Sequence, residues 1–209
     1  MRNITNIALL ASGTVFGAAA VMAYVFGDLR ITLFIQRFDS PYFRDLMVAV
    51  SWPGYLGRQW IVALCVAALL LRFRLKTEAA FLLISAGSSS LLVNAIKFIV
   101  GRARPAPDLV EIHERPITLS FPSGHVTSYM ALFGFLFYLI YALMRPSLLR
   151  SFLLILCGAM ISLVGVSRVY LGAHWASDAL GGYCFGFFWL ALTIHFYRRR
   201  KDAHGPARA

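Results

Sequence analysis

The sequence predicts an all-α, polytopic membrane protein with six transmembrane helices and both termini in the cytoplasm. The chain has 209 residues, of which 59% are hydrophobic and only 14% are charged, and its mean hydropathy is +0.71. A soluble domain typically carries about 25% charged residues. Because so little polar surface is available to face water, the bilayer is the expected solvent, and the length corresponds to one domain.

Six apolar segments are each long enough to cross a bilayer, which requires roughly 20 residues. In chain order they cover residues 7–26, 55–71, 78–100, 126–144, 151–171 and 179–197. The first resembles a signal peptide, but its apolar stretch is longer than a usual signal-peptide core, which favours an uncleaved helix. We therefore expect one membrane domain over residues 1–201 and a disordered cytoplasmic tail over residues 202–209.

The distribution of basic residues predicts the orientation of these helices. Eleven of the 20 Lys and Arg lie at one set of helix ends, which includes both termini. The positive-inside rule assigns these ends to the cytoplasm. The net charge of +11 would also suit nucleic acid. However, the basic residues lie between long apolar runs and not on one face of a soluble domain, so no nucleic-acid partner is predicted.

Residues 28–52 are too polar to span the bilayer and too apolar to form a free linker. We expect them to lie along the membrane interface as a short amphipathic helix. The aromatic side chains of Phe38, Tyr42, Phe43 and Trp52 suit that depth.

Three polar clusters carry the candidate chemistry, and all lie at the helix ends opposite the cytoplasmic side. In the first, residues 97–105, Lys97 lies within an apolar helix and Arg104 follows seven residues later. If the helix continues, the two residues share a face, and Pro105 marks its end. Ionisable residues in membrane helices are unfavourable and often functional. The alternative interpretation is a snorkelling lysine followed by ordinary helix-stop signals.

The second cluster is the sequence Pro-Ser-Gly-His at residues 122–125, directly before the fourth apolar segment. Free backbone N–H groups at a helix N-terminus bind anions. Ser123 adds a hydroxyl group, Gly124 lets an anion approach the backbone closely, and His125 would face that anion. The alternative is an ordinary helix cap in which His125 is an interfacial polar residue.

The third cluster covers residues 167–178 and contains Arg168, His174 and Asp178. On a helix, His174 and Asp178 would lie on one face because four residues separate them. The carboxylate can then bind one imidazole nitrogen, fix the tautomer and leave the other nitrogen free for nucleophilic attack. The alternative is a structural His–Asp pair that holds a helix end in place.

Together the clusters supply three cations, an anion-binding turn and two histidines, which suit a tetrahedral phosphate group. Planar arginine groups can hold two phosphate oxygens at once. The sequence contains no carboxylate cluster typical of Mg²⁺ and no three-histidine or His/Glu set typical of zinc. The combination therefore predicts covalent catalysis without a metal or another cofactor.

The three clusters resemble the signature of the type 2 phosphatidic acid phosphatase family, KxxxxxxRP, PSGH and SRxxxxxHxxxD, and every fixed position is present in order. The resemblance implies that His174 attacks phosphorus and forms a phosphohistidine. It also implies that Asp178 orients His174 and that His125 protonates the leaving group. The residues that would hold the phosphoryl oxygens are Lys97, Arg104, Ser123, Gly124 and Arg168.

The resemblance, together with the six apolar segments, predicts a lipid phosphatase of the bacterial inner membrane with its site on the periplasmic side. Its partners would be the bilayer and a lipid phosphate, and no pattern indicates an oligomeric state. Four substrates remain open: undecaprenyl diphosphate, phosphatidylglycerophosphate, phosphatidic acid and a lipid A phosphate.

Two other functions are possible for a chain with this pattern. A lipid transporter or flippase would place charged groups near the bilayer midplane in broken helices, whereas here they lie at helix ends. A non-catalytic phospholipid-binding protein could lack His174, His125 or Asp178, but all three are present. Both comparisons favour the phosphatase.

Overall fold

The structure, a computed structural model, describes residues 27–55 and 57–203, which form helices and no strand. The all-α prediction is confirmed for these residues. The helices are α1 (Asp28–Gln36), α2 (Pro41–Ser51), a short 3-10 helix (Trp52–Gly54), α3 (Arg58–Arg72), α4 (Lys76–Val100), α5 (Gly124–Leu143), α6 (Leu148–Tyr170) and α7 (Ala176–Ala203). Helix α7 includes the first two residues of the predicted tail, and the rest of that tail lies outside the described residues.

Four of these helices, α4 to α7, are long and apolar enough to cross a membrane. The residues of α2 and the 3-10 helix, together with α3, form a fifth candidate span that is bent by 67°. Helix α3 has only 15 residues, or about 22 Å at the usual helical rise, so alone it is shorter than a bilayer core of about 30 Å. The first predicted span, residues 7–26, lies outside the described part of the chain. The count of six spans stays a prediction.

Residues 28–52 form two helices, so the prediction of a single interfacial helix is wrong. Ser40 begins α2, because its hydroxyl accepts a hydrogen bond from the Phe43 N–H at 3.2 Å and Pro41 occupies the first helical position. Helix α2 then packs against α6, where Met47 forms a buried cluster with Tyr170, the last residue of α6, and with Leu171. This packing brings Ser51, the last residue of α2, within hydrogen-bond distance of Ser167.

Helix α5 lies at the centre of the bundle and contacts α4, α6 and α7. Gly182 and Gly186 let α7 approach it closely, since a β-carbon at Gly186 would lie 2.5 Å from the Met130 Cβ atom. Small residues four apart are a common means of close helix packing in membranes. The close approach brings together the N-terminal ends of α5 and α7, where the Ser123 N–H donates to the Asp178 carbonyl oxygen at 2.9 Å.

Candidate active site

A cavity of about 350 Å³ lies at the end of the bundle where the three motifs meet. Its lining includes six of the eight predicted site residues: Lys97, Arg104, Gly124, His125, Arg168 and His174. The other two, Ser123 and Asp178, are buried next to lining residues. The structure therefore brings together residues that lie as far apart in sequence as Lys97 and His174.

His174 lies in the turn between α6 and α7, so the prediction that it shares a helix with Asp178 is wrong. Helix α7 begins only at Ala176, and the His174 N–H donates to the Arg168 carbonyl oxygen at 3.2 Å. Gly172 makes this turn possible, because its φ is +66° and a β-carbon there would collide with the Glu111 carbonyl oxygen. The turn buries His174, which is 2% exposed.

Asp178 lies beside His174 but makes its hydrogen bonds elsewhere. The distance from its Oδ2 atom to the His174 Nδ1 atom is 3.6 Å, which exceeds hydrogen-bond length. Its Oδ1 atom accepts from Arg102 at 2.6 Å, and its Oδ2 atom accepts from the Trp175 N–H at 2.9 Å and from the Ser120 hydroxyl. These bonds hold the carboxylate in one position next to the imidazole.

Arg102 joins this carboxylate to a second one at the start of α1. It donates to Asp28 at 2.6 Å, and Asp28 also accepts from the Ser177 hydroxyl at 2.6 Å. Two acidic groups from distant parts of the chain thus share one guanidinium group behind His174. A buried carboxylate needs such a partner, because an unpaired charge in this environment is strongly unfavourable.

Lys97 and Arg104 do not lie on one helix face as the sequence suggested, because α4 ends at Val100. Gly101 adopts φ +66° and its N–H donates to the Lys97 carbonyl oxygen at 2.9 Å, which is a typical glycine helix end. The Lys97 ammonium group is nonetheless in the cavity wall, where it donates to the Leu119 and Ser120 carbonyl oxygens.

Arg104 approaches the cavity from the connection that follows α4. Its Nη1 atom lies 3.2 Å from the His174 Nε2 atom, and its guanidinium group also donates to the Thr118 hydroxyl at 3.0 Å. Burial, and to a lesser degree the charge of Arg168, lowers the pKa of Arg104 to about 10. Arg104 therefore remains a cation at neutral pH, next to the candidate nucleophile.

The Pro-Ser-Gly-His motif forms the start of α5, as the sequence predicted. The Ser123 Oγ atom and the His125 Nε2 atom are buried and have no hydrogen-bond partner among the described residues. The His125 ring packs edge-on against the Tyr55 ring, with 5.4 Å between centroids. Buried polar groups normally have partners, so these two atoms are available to a bound ligand.

Arg168 is fully buried, at 0% exposure, and its guanidinium group forms two bonds to one carboxylate. Its Nη1 and Nη2 atoms donate to the two oxygens of Glu114 at 2.7 and 2.8 Å, and Nη1 also donates to the Ser51 hydroxyl at 3.0 Å. The Arg168 Nε atom has no partner in the described part of the chain. Glu114 lines the same cavity.

The cations around His174 act on its ionisation in the same direction as its burial. Burial, followed by the charges of Arg104, Arg168 and Lys97, holds the pKa of His174 well below its ordinary value. The imidazole is therefore neutral at neutral pH, which is the form that can attack an electrophile.

Four residues of the site were not found from the sequence: Asp28, Arg102, Glu114 and Ser120. Arg102 lies inside the first motif, two residues before Arg104, and its charge near the end of a membrane helix is a signal that was available. Asp28, Glu114 and Ser120 lie outside the motifs, in polar segments where an acidic residue or a serine is ordinary. Only their contacts identify them.

The fold and site together define a helical membrane protein with a cationic, histidine-containing cavity at one end of its bundle. The chain belongs to the PAP2 superfamily, whose family model matches residues 78–202. The predictions of this family and of a phosphoric ester hydrolase are confirmed.

Relatives agree with this assignment. Phosphatidylglycerophosphatase B of Bacillus subtilis (strain 168) is 28% identical over 165 residues, which cover 78% of this chain and 79% of that protein. Lipid A 1-phosphatase of Rhizobium etli is 35% identical over 127 residues, which cover 57% of this chain but only 50% of that protein.

Two solved structures share the fold. The transmembrane PAP2-type phosphatidylglycerolphosphate phosphatase of Bacillus subtilis matches with a TM-score of 0.77 at 24% identity, over 93% of this chain and 96% of that chain. Aquifex aeolicus LpxE matches with a TM-score of 0.63 at 20% identity, over 80% and 94% of the two chains. At these identities the likeness concerns the fold alone, and it agrees with a helical membrane protein.

Proposed function

We propose that this protein hydrolyses a phosphomonoester or diphosphate of a membrane lipid through a phosphohistidine on His174, without a metal ion. The observation that carries the proposal is the arrangement of three cations and two histidines around one cavity, with His174 buried and neutral. The relatives are named for phosphatidylglycerophosphate and lipid A, which are two of the four predicted substrates. Phosphatidic acid and undecaprenyl diphosphate complete the set of candidates.

In the first step, the Nε2 lone pair of His174 attacks phosphorus. The N–P bond forms while the bond from phosphorus to the leaving oxygen breaks, and His125, which takes up a proton when the substrate anion binds, donates that proton to the leaving oxygen. Asp178 steadies the imidazole from the Nδ1 side. Their separation of 3.6 Å would shorten to a hydrogen bond when the phosphoryl group is bound, since catalytic bonds often tighten only in the complex.

In the second step, water attacks the phosphohistidine, the N–P bond breaks and inorganic phosphate leaves. The neutral His125 accepts a proton from the water, and this proton leaves with inorganic phosphate, which returns both histidines to their neutral starting forms. Lys97, Arg104 and Arg168 stabilise the charge on the equatorial oxygens in both steps, although Glu114 offsets part of the charge of Arg168, and fixed cations in a buried site are effective in this role. This charge balance is why we expect no metal requirement.

The lipid nature of the substrate is supported by the setting of the cavity. Its wall continues along α4 through Ser90, Val93 and Asn94, which belong to a helix long and apolar enough to cross a membrane. A lipid tail leaves the bilayer only at a large cost in hydrophobic free energy, so a site whose wall includes residues of a membrane helix suits a substrate that stays anchored. We place the enzyme in the bacterial inner membrane with this site on the periplasmic side.

The proposal is tested by phosphate release from the purified protein in detergent, with EDTA present. Phosphatidylglycerophosphate, phosphatidic acid, undecaprenyl diphosphate and lipid A are compared. His174→Ala should reduce the rate roughly 10³-fold or more, because the nucleophile is lost. The matched control is His195→Ala, since His195 is an exposed histidine on α7 and does not line the cavity.

Three results would contradict parts of the proposal. Phosphate release that survives His174→Ala would remove His174 as the nucleophile. Activity abolished by EDTA would disprove the metal-free mechanism. No release from any of the four lipids would disprove the assigned substrate class. Acid quenching of the reaction should also trap an acid-labile phosphoenzyme in the unsubstituted protein and not in His174→Ala.

A further inference from the structure

Glu114 is the sole carboxylate among the described residues that line the cavity. Its side chain is 22% exposed, and both of its oxygens are bonded to the buried guanidinium group of Arg168. The backbone N–H of Glu114 donates to the Leu171 carbonyl oxygen at 3.2 Å, which fixes the residue to the end of α6. A negative charge is therefore held in place inside a site that otherwise presents positive charge.

The other carboxylates near the site do not change the balance of charge within the cavity lining. Asp178 lies behind His174, outside the cavity lining, and shares Arg102 with Asp28. Within the lining, the fixed charges are the three cations of Lys97, Arg104 and Arg168 and the one anion of Glu114. The lining thus carries a net charge of about +2 when both histidines are neutral.

A phosphomonoester carries up to about two negative charges near neutral pH, and a diphosphate carries roughly one more. The net charge of the cavity lining matches the charge of a phosphomonoester in magnitude, and it is smaller than the charge of a diphosphate. We propose that Glu114 is a specificity-determining residue that favours lipid monophosphates over lipid diphosphates by cancelling the charge of Arg168. The inference rests on the proposed function, because it concerns the charge of the substrate at the same site.

The proposal is tested with farnesyl phosphate and farnesyl diphosphate, which share one tail and differ in charge. The measured quantity is the ratio of kcat/KM for the diphosphate to kcat/KM for the monophosphate, from the initial rate of the first phosphate released. Glu114→Gln should raise this ratio roughly tenfold or more, because it removes a unit negative charge from the lining of the cavity that would hold the extra phosphate. Glu114→Asp keeps the charge and should leave the ratio within about twofold.

Glu111→Gln is the matched control for net charge. Glu111 lies on the same connection, its side chain is 63% exposed and it does not line the cavity. Its substitution should leave the ratio unchanged. The proposal is overturned if Glu114→Gln leaves the ratio unchanged or lowers both kcat/KM values equally, and also if Glu111→Gln shifts the ratio as much.

A second measurement needs no turnover and no variant. Anions that bind the folded protein raise its Tm, so orthophosphate and pyrophosphate can be titrated against the unsubstituted protein. Orthophosphate should raise the Tm at least as much as pyrophosphate does, and a clearly stronger effect of pyrophosphate would overturn the proposal. If the protein released no phosphate from any lipid, the proposed function would fail, while this titration would still decide the charge assignment.

Discussion

Burial and neighbouring cations act together on His174. The imidazole is 2% exposed, and its Nε2 atom lies 3.2 Å from the Arg104 guanidinium group. Both influences disfavour the imidazolium form, so the folded protein holds the pKa of His174 well below its ordinary value. A group with a lowered pKa stays neutral as the pH falls through the ordinary value of about 6.5, and it becomes protonated only at more acidic pH.

The lowered pKa of His174 predicts the result of an NMR titration of the protein with ¹⁵N-labelled histidine. Between pH of about 7.5 and about 6, the His174 nitrogen signals, assigned by their loss in His174→Ala, should stay those of a neutral imidazole. Arg104→Gln should raise the pKa of His174, because a neighbouring cation is removed. Protonation of His174 in the unsubstituted protein at or above the ordinary pKa would contradict the interpretation.

The residues around the cavity differ in how visible they are in the sequence. His125, Arg168 and His174, which line the cavity, were predicted because ionisable groups next to apolar segments stand out from their surroundings. Asp28 and Glu114 were missed because acidic residues in polar connections are ordinary. Asp28 accepts a hydrogen bond from Ser177, which lies 149 positions away in the sequence, and no local sequence pattern can predict such a contact.

Among the helices, the packing of α7 on α5 decides how the second and third motifs meet. Gly186 lies against Met130, and a β-carbon there would be 2.5 Å from the Met130 Cβ atom. Gly158 of α6 has open space at the same position, with nothing within 4 Å. The two glycines therefore differ in packing although both lie inside helices.

Alanine at these two positions should have different effects on the free energy of unfolding. Gly186→Ala should lower the free energy of unfolding by about 1–3 kcal/mol through overpacking. Gly158→Ala should be neutral or should raise it by up to about 1 kcal/mol through helix propensity. Thermal unfolding in detergent measures both, and equal effects of the two substitutions would contradict the close packing of α7 on α5.

The ends of the helices were harder to predict than their existence. Each of the predicted segments 78–100, 126–144, 151–171 and 179–197 overlaps one of the helices α4 to α7. The predicted helix ends are wrong where a glycine or a proline interrupts the apolar pattern. Gly101 ends α4 before Arg104 is reached, and Ser40 with Pro41 divides the predicted interfacial helix into two. In each case a local backbone preference outweighed the continuity suggested by the apolar pattern.

Across the whole molecule, successive helices from α4 to α7 run in opposite directions, and this arrangement places the site at one end of the bundle. The connections 101–123 and 171–175 lie at this end, and the connection 144–147 lies at the other. By sequence, 11 of the 20 Lys and Arg are assigned to the other end, at both termini, at the start of α4, around the connection 144–147 and at the end of α7. The positive-inside rule then predicts that the site faces away from the cytoplasm.

Cysteine labelling in intact bacterial spheroplasts tests this orientation. Asp108 and Pro146 are exposed residues of the connections at the two ends, and each is changed to cysteine after the native Cys65, Cys157 and Cys184 are replaced by alanine. A membrane-impermeant maleimide should label Asp108→Cys in intact spheroplasts and Pro146→Cys only after permeabilisation, because the bilayer separates the two connections. Retained phosphate release by the cysteine-free protein shows that its fold is intact. The reverse labelling pattern would place the site in the cytoplasm and contradict the periplasmic assignment, while the proposed chemistry at His174 would be unaffected.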